Sequence, residues 1–291
     1  KVKNNFKYFL SIVLMSYIIV YYGNDIKLII KEVNLLYLPL ILLLILLQYF
    51  LSAWRWHFIA SKTRSRIDYK DAIRFYYISG FLNNILPTGI LGDIYRSINI
   101  KINGEKRGNI LKSLQSVILE RLSGQITLVV TFIISLSLFF FINEKYTAFY
   151  YVIGTILILF LLIRLFFRYK QNNKYIINFK YIFSGKLFYK HFFLSLIIVL
   201  TYITTYIICA FSLNLDIDII SFFVFAPIIL LSMTLPVSIG GWGIRETTAL
   251  AISFLLGLTV SASVTVAIVY GLTNLLCSLP GMYFLINRKI S

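Results

Sequence analysis

The chain has 291 residues, of which 59% are hydrophobic and only 13% charged, and its formal net charge is +17. Soluble domains carry about a quarter charged residues, so this composition excludes a soluble enzyme. The basic residues lie in short segments between apolar runs, a placement that suits anionic lipid headgroups and argues against a nucleic-acid partner.

A transmembrane helix takes about 20 mostly apolar residues at about 1.5 Å each. The first run, 6–22, follows a basic N-terminal segment as a signal peptide would. Tyr21-Tyr22-Gly23-Asn24-Asp25 then stands where a small-residue cleavage site belongs, so a retained span is predicted. Further spans are predicted at 34–60, 112–142, 146–168, 191–212 and 262–287. These are continuous runs of Leu, Ile, Phe and Val without the alternation of barrel strands, which makes the fold class an all-α integral membrane protein. Trp54 and Trp56, followed by His57, read as an interfacial aromatic belt at the end of the second span.

Two stretches, 71–91 and 218–257, are too polar or too broken by Pro and Gly for plain spans. They read as discontinuous helices that enter the membrane and turn back, sheltered by protein or a wet cavity. The alternative is two kinked crossings, giving eight spans instead of six. Each stretch contains a version of one motif: residues 86–96 read LPTGILGDIYR and residues 235–245 read LPVSIGGWGIR, an offset of 149. That offset lays the first half of the chain, about 1–142, on the second, about 146–291, and a repeat of this length dominates the architecture.

Lys and Arg crowd the N-terminus, the segment from Arg55 to Lys112, the loop from Arg164 to Lys190 and the tail, whereas the alternate loops are nearly free of them. The positive-inside rule then makes both termini cytoplasmic in a plasma or inner membrane. Three crossings and one re-entrant hairpin per half satisfy this count. An odd number of crossings inverts the second copy, and inverted repeats with broken helices are a recurrent transporter plan.

A helix start after glycines offers free amides and a dipole to an anion, and an arginine beside it can hold a phosphate through two parallel bonds. Gly89, Gly92, Asp93 and Arg96 form one such group, and Gly240, Gly241, Gly243 and Arg245 the other. The alternative reading has the glycines serve close helix packing and the arginines pair with acids. Glu120 and Arg121 fall within the third span and Glu246 follows Arg245; an unpaired charge there costs about 3 kcal/mol, so each needs a partner or a wet cavity. Sequence neighbours on a helix do not face each other, which leaves Arg245 or Arg96 as the expected partner of Glu120. Complete pairing would make the cluster structural; an arginine left over would accept an anionic headgroup. Cys209 and Cys277 lie inside apolar runs as packing residues, and His57 and His191 have no companions at zinc-ligand spacing, so no metal or other cofactor is expected. No nucleophile elbow, phosphate loop or metal-binding His pair is present in the sequence.

The two motifs, together with Glu120-Arg121-Leu122-Ser123-Gly124, resemble the lysylphosphatidylglycerol synthase transmembrane family of flippase-like domains, which includes the membrane half of the multiple peptide resistance factor. Its pattern Asn-x-x-Pro-x-Gly-x-x-Gly-Asp-x-x-Arg matches Asn84, Pro87, Gly89, Gly92, Asp93 and Arg96, and Ser-x-Gly-Gly-x-Gly-x-Arg-Glu matches Ser238, Gly240, Gly241, Gly243, Arg245 and Glu246. Leu91 stands where many relatives have another glycine. The resemblance implies movement of an anionic or aminoacylated phospholipid between leaflets, with these residues at the lipid phosphate. It also implies, as the alternative, the membrane component of a phosphatidylglycerol lysyltransferase or other lipid-linked transferase, with a separate soluble synthase as a partner. A domain transferring lysine from charged tRNA needs a few hundred further polar residues, so these 291 are read as the flippase-like part.

Overall fold

The computed structural model describes residues 2–63, 67–86, 89–99, 110–145, 147–151, 153–154, 185–235 and 238–287. Among them the regular structure is helical: α1 (Val2–Lys31), α2 (Leu38–Lys62), α3 (Tyr69–Ile85), α4 (Leu91–Ile98), α5 (Ile110–Ile142), α6 (Gly185–Ser212), α7 (Ile219–Ser232), α8 (Ile244–Ala251), α9 (Val260–Ser278) and α10 (Pro280–Ile286). Five stretches are long and apolar enough to cross a membrane: Ser11–Lys31, Leu35–Lys62, Ser113–Ile142, Leu187–Ser212 and Val260–Ile286. The span predicted at 146–168 falls mostly outside the described residues.

The distribution of polarity is that of a membrane protein. Phe9, Val20, Leu43, Phe50, Ile134, Phe141, Phe193 and Leu276 point outward, while Arg55, Asp93, Arg96, Glu120, Arg245 and Glu246 are buried. Water would reverse that arrangement, because exposed apolar side chains and buried charges are each unfavourable there. The chain is an all-α integral membrane protein.

Local signals set the helix ends. Asn34 caps a short 3-10 turn by accepting from the Leu36 amide, and Pro39 then sits in the first turn of α2, where its missing N–H costs nothing. α1 runs on to Lys31, beyond the apolar run that ends at Tyr22, because nothing between Gly23 and Ile30 breaks the helix. Leu86 ends α3 with ψ 145°, the extended conformation required before a proline. Asp218 caps α7 by accepting from the Ile220 and Ser221 amides, both at 3.1 Å. Thr259 caps α9 through the Ala262 amide.

The two unusual stretches are hairpins. α4 folds back along α3: the Ser79 hydroxyl donates to Asp93 at 3.3 Å, and Phe75 packs edge-on against Tyr95 at 6.5 Å, so rising numbers on one helix meet falling numbers on the other. Gly92 permits this approach, since a Cβ there would collide with the Ser79 carbonyl. α7 and α8 make the corresponding turn through Met233 to Gly243, with Gly241 packed on Met233. The two hairpin tips touch: Gly240 has φ +55°, and a Cβ on it would lie 2.6 Å from the Asn84 carbonyl oxygen. Gly240 is thus required both by its left-handed backbone and by the facing helix end.

Around the hairpins, α2 packs on α6, α3 on α10, and α5 on α7. The main core joins Ile41, Ile45 and Tyr49 of α2 to Ile203 and Tyr206 of α6, Phe222 and Phe225 of α7, and Tyr270 of α9. Cys209 and Cys277 belong to this core, as expected of packing residues. Polar contacts also cross the α2–α6 interface, among them Gln48 Nε2 to Thr205 Oγ1 at 2.9 Å. Beyond these helices, the Asn34 amide donates to the Ser212 carbonyl and Asn214 to the Glu32 carbonyl, so the turns after α1 and α6 lie on one face. Arg74 of α3 reaches the Asn287 carbonyl at 3.5 Å, which places the start of α3 beside the end of α10.

Candidate lipid-headgroup site

The centre of the first hairpin holds five charged side chains from three helices. Glu120, 1% exposed, accepts from Arg55 Nε at 3.1 Å and from Arg55 Nη2 through one oxygen, and from Arg96 Nη2 at 2.7 Å through the other. The Tyr76 hydroxyl donates to the first oxygen at 3.4 Å. Asp93 accepts from Arg96 Nε at 2.9 Å on one oxygen and pairs with Arg121 Nε at 2.6 Å on the other. Ser79 and Asn83 complete the Asp93 shell. Arg121 also donates from Nη2 to the Gly89 carbonyl at 2.7 Å, fixing the hairpin turn to α5.

Glu120 and Arg121 diverge around the helix, as neighbours must, to reach different acids and bases. Ser123 Oγ lies 2.9 Å from both His191 Nδ1 and Ser195 Oγ, and Ser195 accepts from Arg55 Nη1 at 3.1 Å. Gly124 leaves room for the Arg55 guanidinium, 3.1 Å from where its Cβ would stand.

Three guanidiniums therefore meet two carboxylates. Arg96 is wedged between the rings of Trp56 and Tyr76, each 4.8 Å from its Cζ, and its Nη1 is buried without a hydrogen-bond partner. The Arg121 side chain is 32% exposed, the one cation of the three with an open side. A cavity of about 270 Å³ opens here. Its lining includes the charged group of Arg55, Asp93, Arg96, Glu120 and Arg121 and the apolar side chains of Leu128, Ile198, Val199, Leu230 and Met233.

The second motif is built differently. Glu246 turns back to accept from the Gly243 amide at 2.7 Å and pairs with Arg245, whose guanidinium lies over Trp242 at 4.8 Å and against Gly271. Adjacent residues pair here because Glu246 occupies the third position of α8, where a carboxylate curls back to the helix start. The expectation that Arg245 might serve Glu120 is thus replaced: Arg96 and Arg55 serve it. At each of these helix starts one amide is taken by a side chain, that of Gly92 by Asn83 at 2.8 Å and that of Gly243 by Glu246. Ser238 is buried with its hydroxyl unpartnered. Asn84 supplies the backbone under Gly240, while Asn83 lines the cavity. Pro87 lies outside the described residues.

Arg55 was missed in the sequence, being counted with the basic segment facing the cytoplasm. Its signal was the spacing Gln48, Ser52, Arg55, one polar face on an apolar span. Trp56, read as an interfacial residue, is fully buried and donates to Ser116 at 3.4 Å, because it walls the arginine; Trp54 remains on the surface.

A cavity lined by both charged and apolar side chains, inside a helical bundle, agrees with the sequence comparison. The family described as the lysylphosphatidylglycerol synthase transmembrane region matches residues 8–281. The chain belongs to that family. It is a multi-pass membrane protein with a role tied to membrane lipid. Neither the curated proteins nor the solved structures include a match to it.

Proposed function

We propose that this chain translocates an anionic or aminoacylated phospholipid between the leaflets of a plasma or inner membrane, with both termini in the cytoplasm. The observation that carries the reading is one cavity lined both by a buried charge cluster with a partly open guanidinium and by apolar side chains. About 270 Å³ suits a headgroup, while the acyl chains stay in the bilayer.

Alternating access follows if the two halves are inverted repeats. Four observations support that. Shifting α3 by the motif offset of 149 gives 218–234, against the observed Ile219–Ser232 of α7. The same shift relates α2 to α6, which pack on each other, and exchanges the α3–α10 contact with the α7–α5 contact. The hairpin tips meet at Asn84 and Gly240. α3 begins beside the end of α10, whereas α7 begins next to the turn tied to Glu32, so the hairpins enter from opposite ends of the bundle.

A second reading follows from the family's description as part of a synthase: the chain holds phospholipid for a separate soluble lysyltransferase. Reconstitution separates the two. The purified chain in liposomes, without any other protein, should expose fluorescent phosphatidylglycerol of the inner leaflet to an external quencher faster than empty liposomes do. Movement equal to the protein-free rate, with a folded protein, rejects translocation and leaves the partner reading.

A further inference from the structure

A row of hydrogen bonds leads from the charge cluster to the first turns of α6. Ser195 accepts from Arg55 Nη1 at 3.1 Å, Ser195 Oγ lies 2.9 Å from Ser123 Oγ, and Ser123 Oγ lies 2.9 Å from His191 Nδ1. All four residues are buried, and Arg55 also holds Glu120 in the cavity wall. His191 is 1% exposed, with the Phe188 ring edge-on at 5.7 Å. The row can be satisfied in two senses. With Nδ1 bare, the Ser123 hydroxyl donates to it, and Ser195 donates to Ser123 while accepting from Arg55. The imidazolium carries a proton on both nitrogens, so Nδ1 then donates to Ser123, which turns to donate to Ser195. Ser195 then accepts from both sides, and its own proton is left for a carbonyl one turn back along α6, a common partner of a helical serine. Among the described residues, the charged groups that meet this row are Arg55 of α2 and, beyond it, Glu120 and Arg121 of α5 with Arg96 of α4. On α6 itself Lys190, next to His191, is exposed. α7 has no titratable residue, and α9 has only Tyr270 and Cys277, which lie in the main core.

We propose that His191 takes up a proton from water when a lipid phosphate enters the cavity, so that the proton is a second ligand of the site. No bond of the lipid changes; the proton rests on the imidazole and leaves when the headgroup does. A proton on His191 adds to the positive charge of Arg55 and Arg96, and a phosphate in the cavity offsets that charge, in surroundings where such interactions are strong. By linkage the coupling is reciprocal: the protonated site holds the headgroup more tightly by the factor by which the headgroup favours the proton. A pH difference across the membrane would then bias the direction of lipid movement, because the two faces would load the site unequally. The inference rests on the cavity being the headgroup site of the translocation reading. It goes further by naming what binds together with the lipid.

Equilibrium binding tests this without requiring transport. Fluorescent phosphatidylglycerol is titrated into the purified chain in neutral detergent at about pH 5.5 and about pH 8, the interval over which an imidazole ordinarily changes charge and a phosphodiester does not. The unaltered chain should bind at least about fivefold more tightly at the lower pH, the low end of the usual coupling between two sites. His191→Gln should bind equally at both, whereas His57→Gln, which alters the other histidine, should keep the difference. Lipid added to the unaltered chain in weakly buffered solution near neutrality should also draw protons from the solution, a reading that needs no variant to fold. Equal affinity at the two pH values, or no proton uptake, overturns the coupling. A difference that survives in His191→Gln overturns it as well, since the proton would then sit elsewhere. Absence of binding at both pH values overturns it together with the headgroup site. Coupled binding in a protein that moves no lipid in liposomes would uphold the coupling and remove the translocation reading alone.

Discussion

Arg55 donates through Nε and Nη2 to a single oxygen of Glu120, joining α2 to α5 across 65 residues of chain. The other Glu120 oxygen holds Arg96 of α4, so one carboxylate fastens three helices. Burying such a group is costly, and its neutralisation by two guanidiniums makes it tolerable. Glu120→Gln leaves the Arg55 guanidinium buried without its acid, and Arg96 with Asp93 alone, and should cost about 3–5 kcal/mol. Arg55→Met should cost less, because Arg96 continues to neutralise Glu120. Chemical denaturation in detergent measures both; Arg55→Met being the more damaging would place the weight of the cluster elsewhere.

The fold class was legible because the spans are plain apolar runs and because the motif recurs in register. What the sequence could not supply was pairing. Arg55 and Glu120 are far apart along the chain, and each could satisfy its charge with several partners of equal chemistry. Trp56 shows the same limit: a tryptophan near a basic segment fits the interface as well as it fits the wall of an arginine site, and only the facing of α2 decides. The Glu246 turn was hidden for a different reason. The rule that adjacent residues do not meet holds for a helix interior and fails in the first turn, where side chains reach back to the open amides.

The bundle has two distinct ends, and labelling should find them. Glu32 and Asp216 are exposed beside the joined turns after α1 and α6, whereas Ser61 and Lys70 are exposed at the opposite end. With Cys209 and Cys277 replaced by Ala, single cysteines at 32 and 216 should react with an impermeant maleimide applied outside intact cells. Cysteines at 61 and 70 should react only after permeabilisation, as the basic residues around them require. Positions 32 and 216 reacting from different sides would contradict the hydrogen bonds that join their turns.

Asp218 offers a test of local stability. Its carboxylate accepts from the Ile220 and Ser221 amides and from the Ser221 hydroxyl, and these bonds hold its pKa below the ordinary aspartate value. A lowered folded pKa means that the contribution is complete above the unfolded value and is lost as pH falls through the folded one. Asp218→Ala should therefore cost about 1 kcal/mol at neutral pH, the usual worth of an N-cap. The difference from the unaltered chain should shrink in acid below about pH 4. Urea unfolding at the two pH values reads this, and a constant difference would mean that the cap's charge is irrelevant.

Arg245 and Arg121 should separate folding from lipid movement. Arg245 spends its guanidinium on Glu246, over Trp242 and outside the cavity. Arg245→Ala strands a buried acid and should destabilise the chain by a few kcal/mol. Adding Glu246→Gln should restore most of the loss, since the amide needs no counter-ion and can still accept from Gly243. Lys at 245 should rescue in part only, keeping charge without the planar two-bond grip. Whatever fraction folds should move lipid at close to the unaltered rate. Arg121→Ala should show the reverse, because its side chain is partly open, hence cheap to remove, and lines the cavity. Its folding should change by less than about 2 kcal/mol, and its lipid flux should fall at least tenfold, which corresponds to 1.4 kcal/mol in the barrier. Flux in liposomes, divided by the folded fraction, measures both. Arg245→Ala that folds normally but loses flux would assign the second motif to the lipid directly and restore the symmetric arrangement in which each hairpin holds a phosphate in turn.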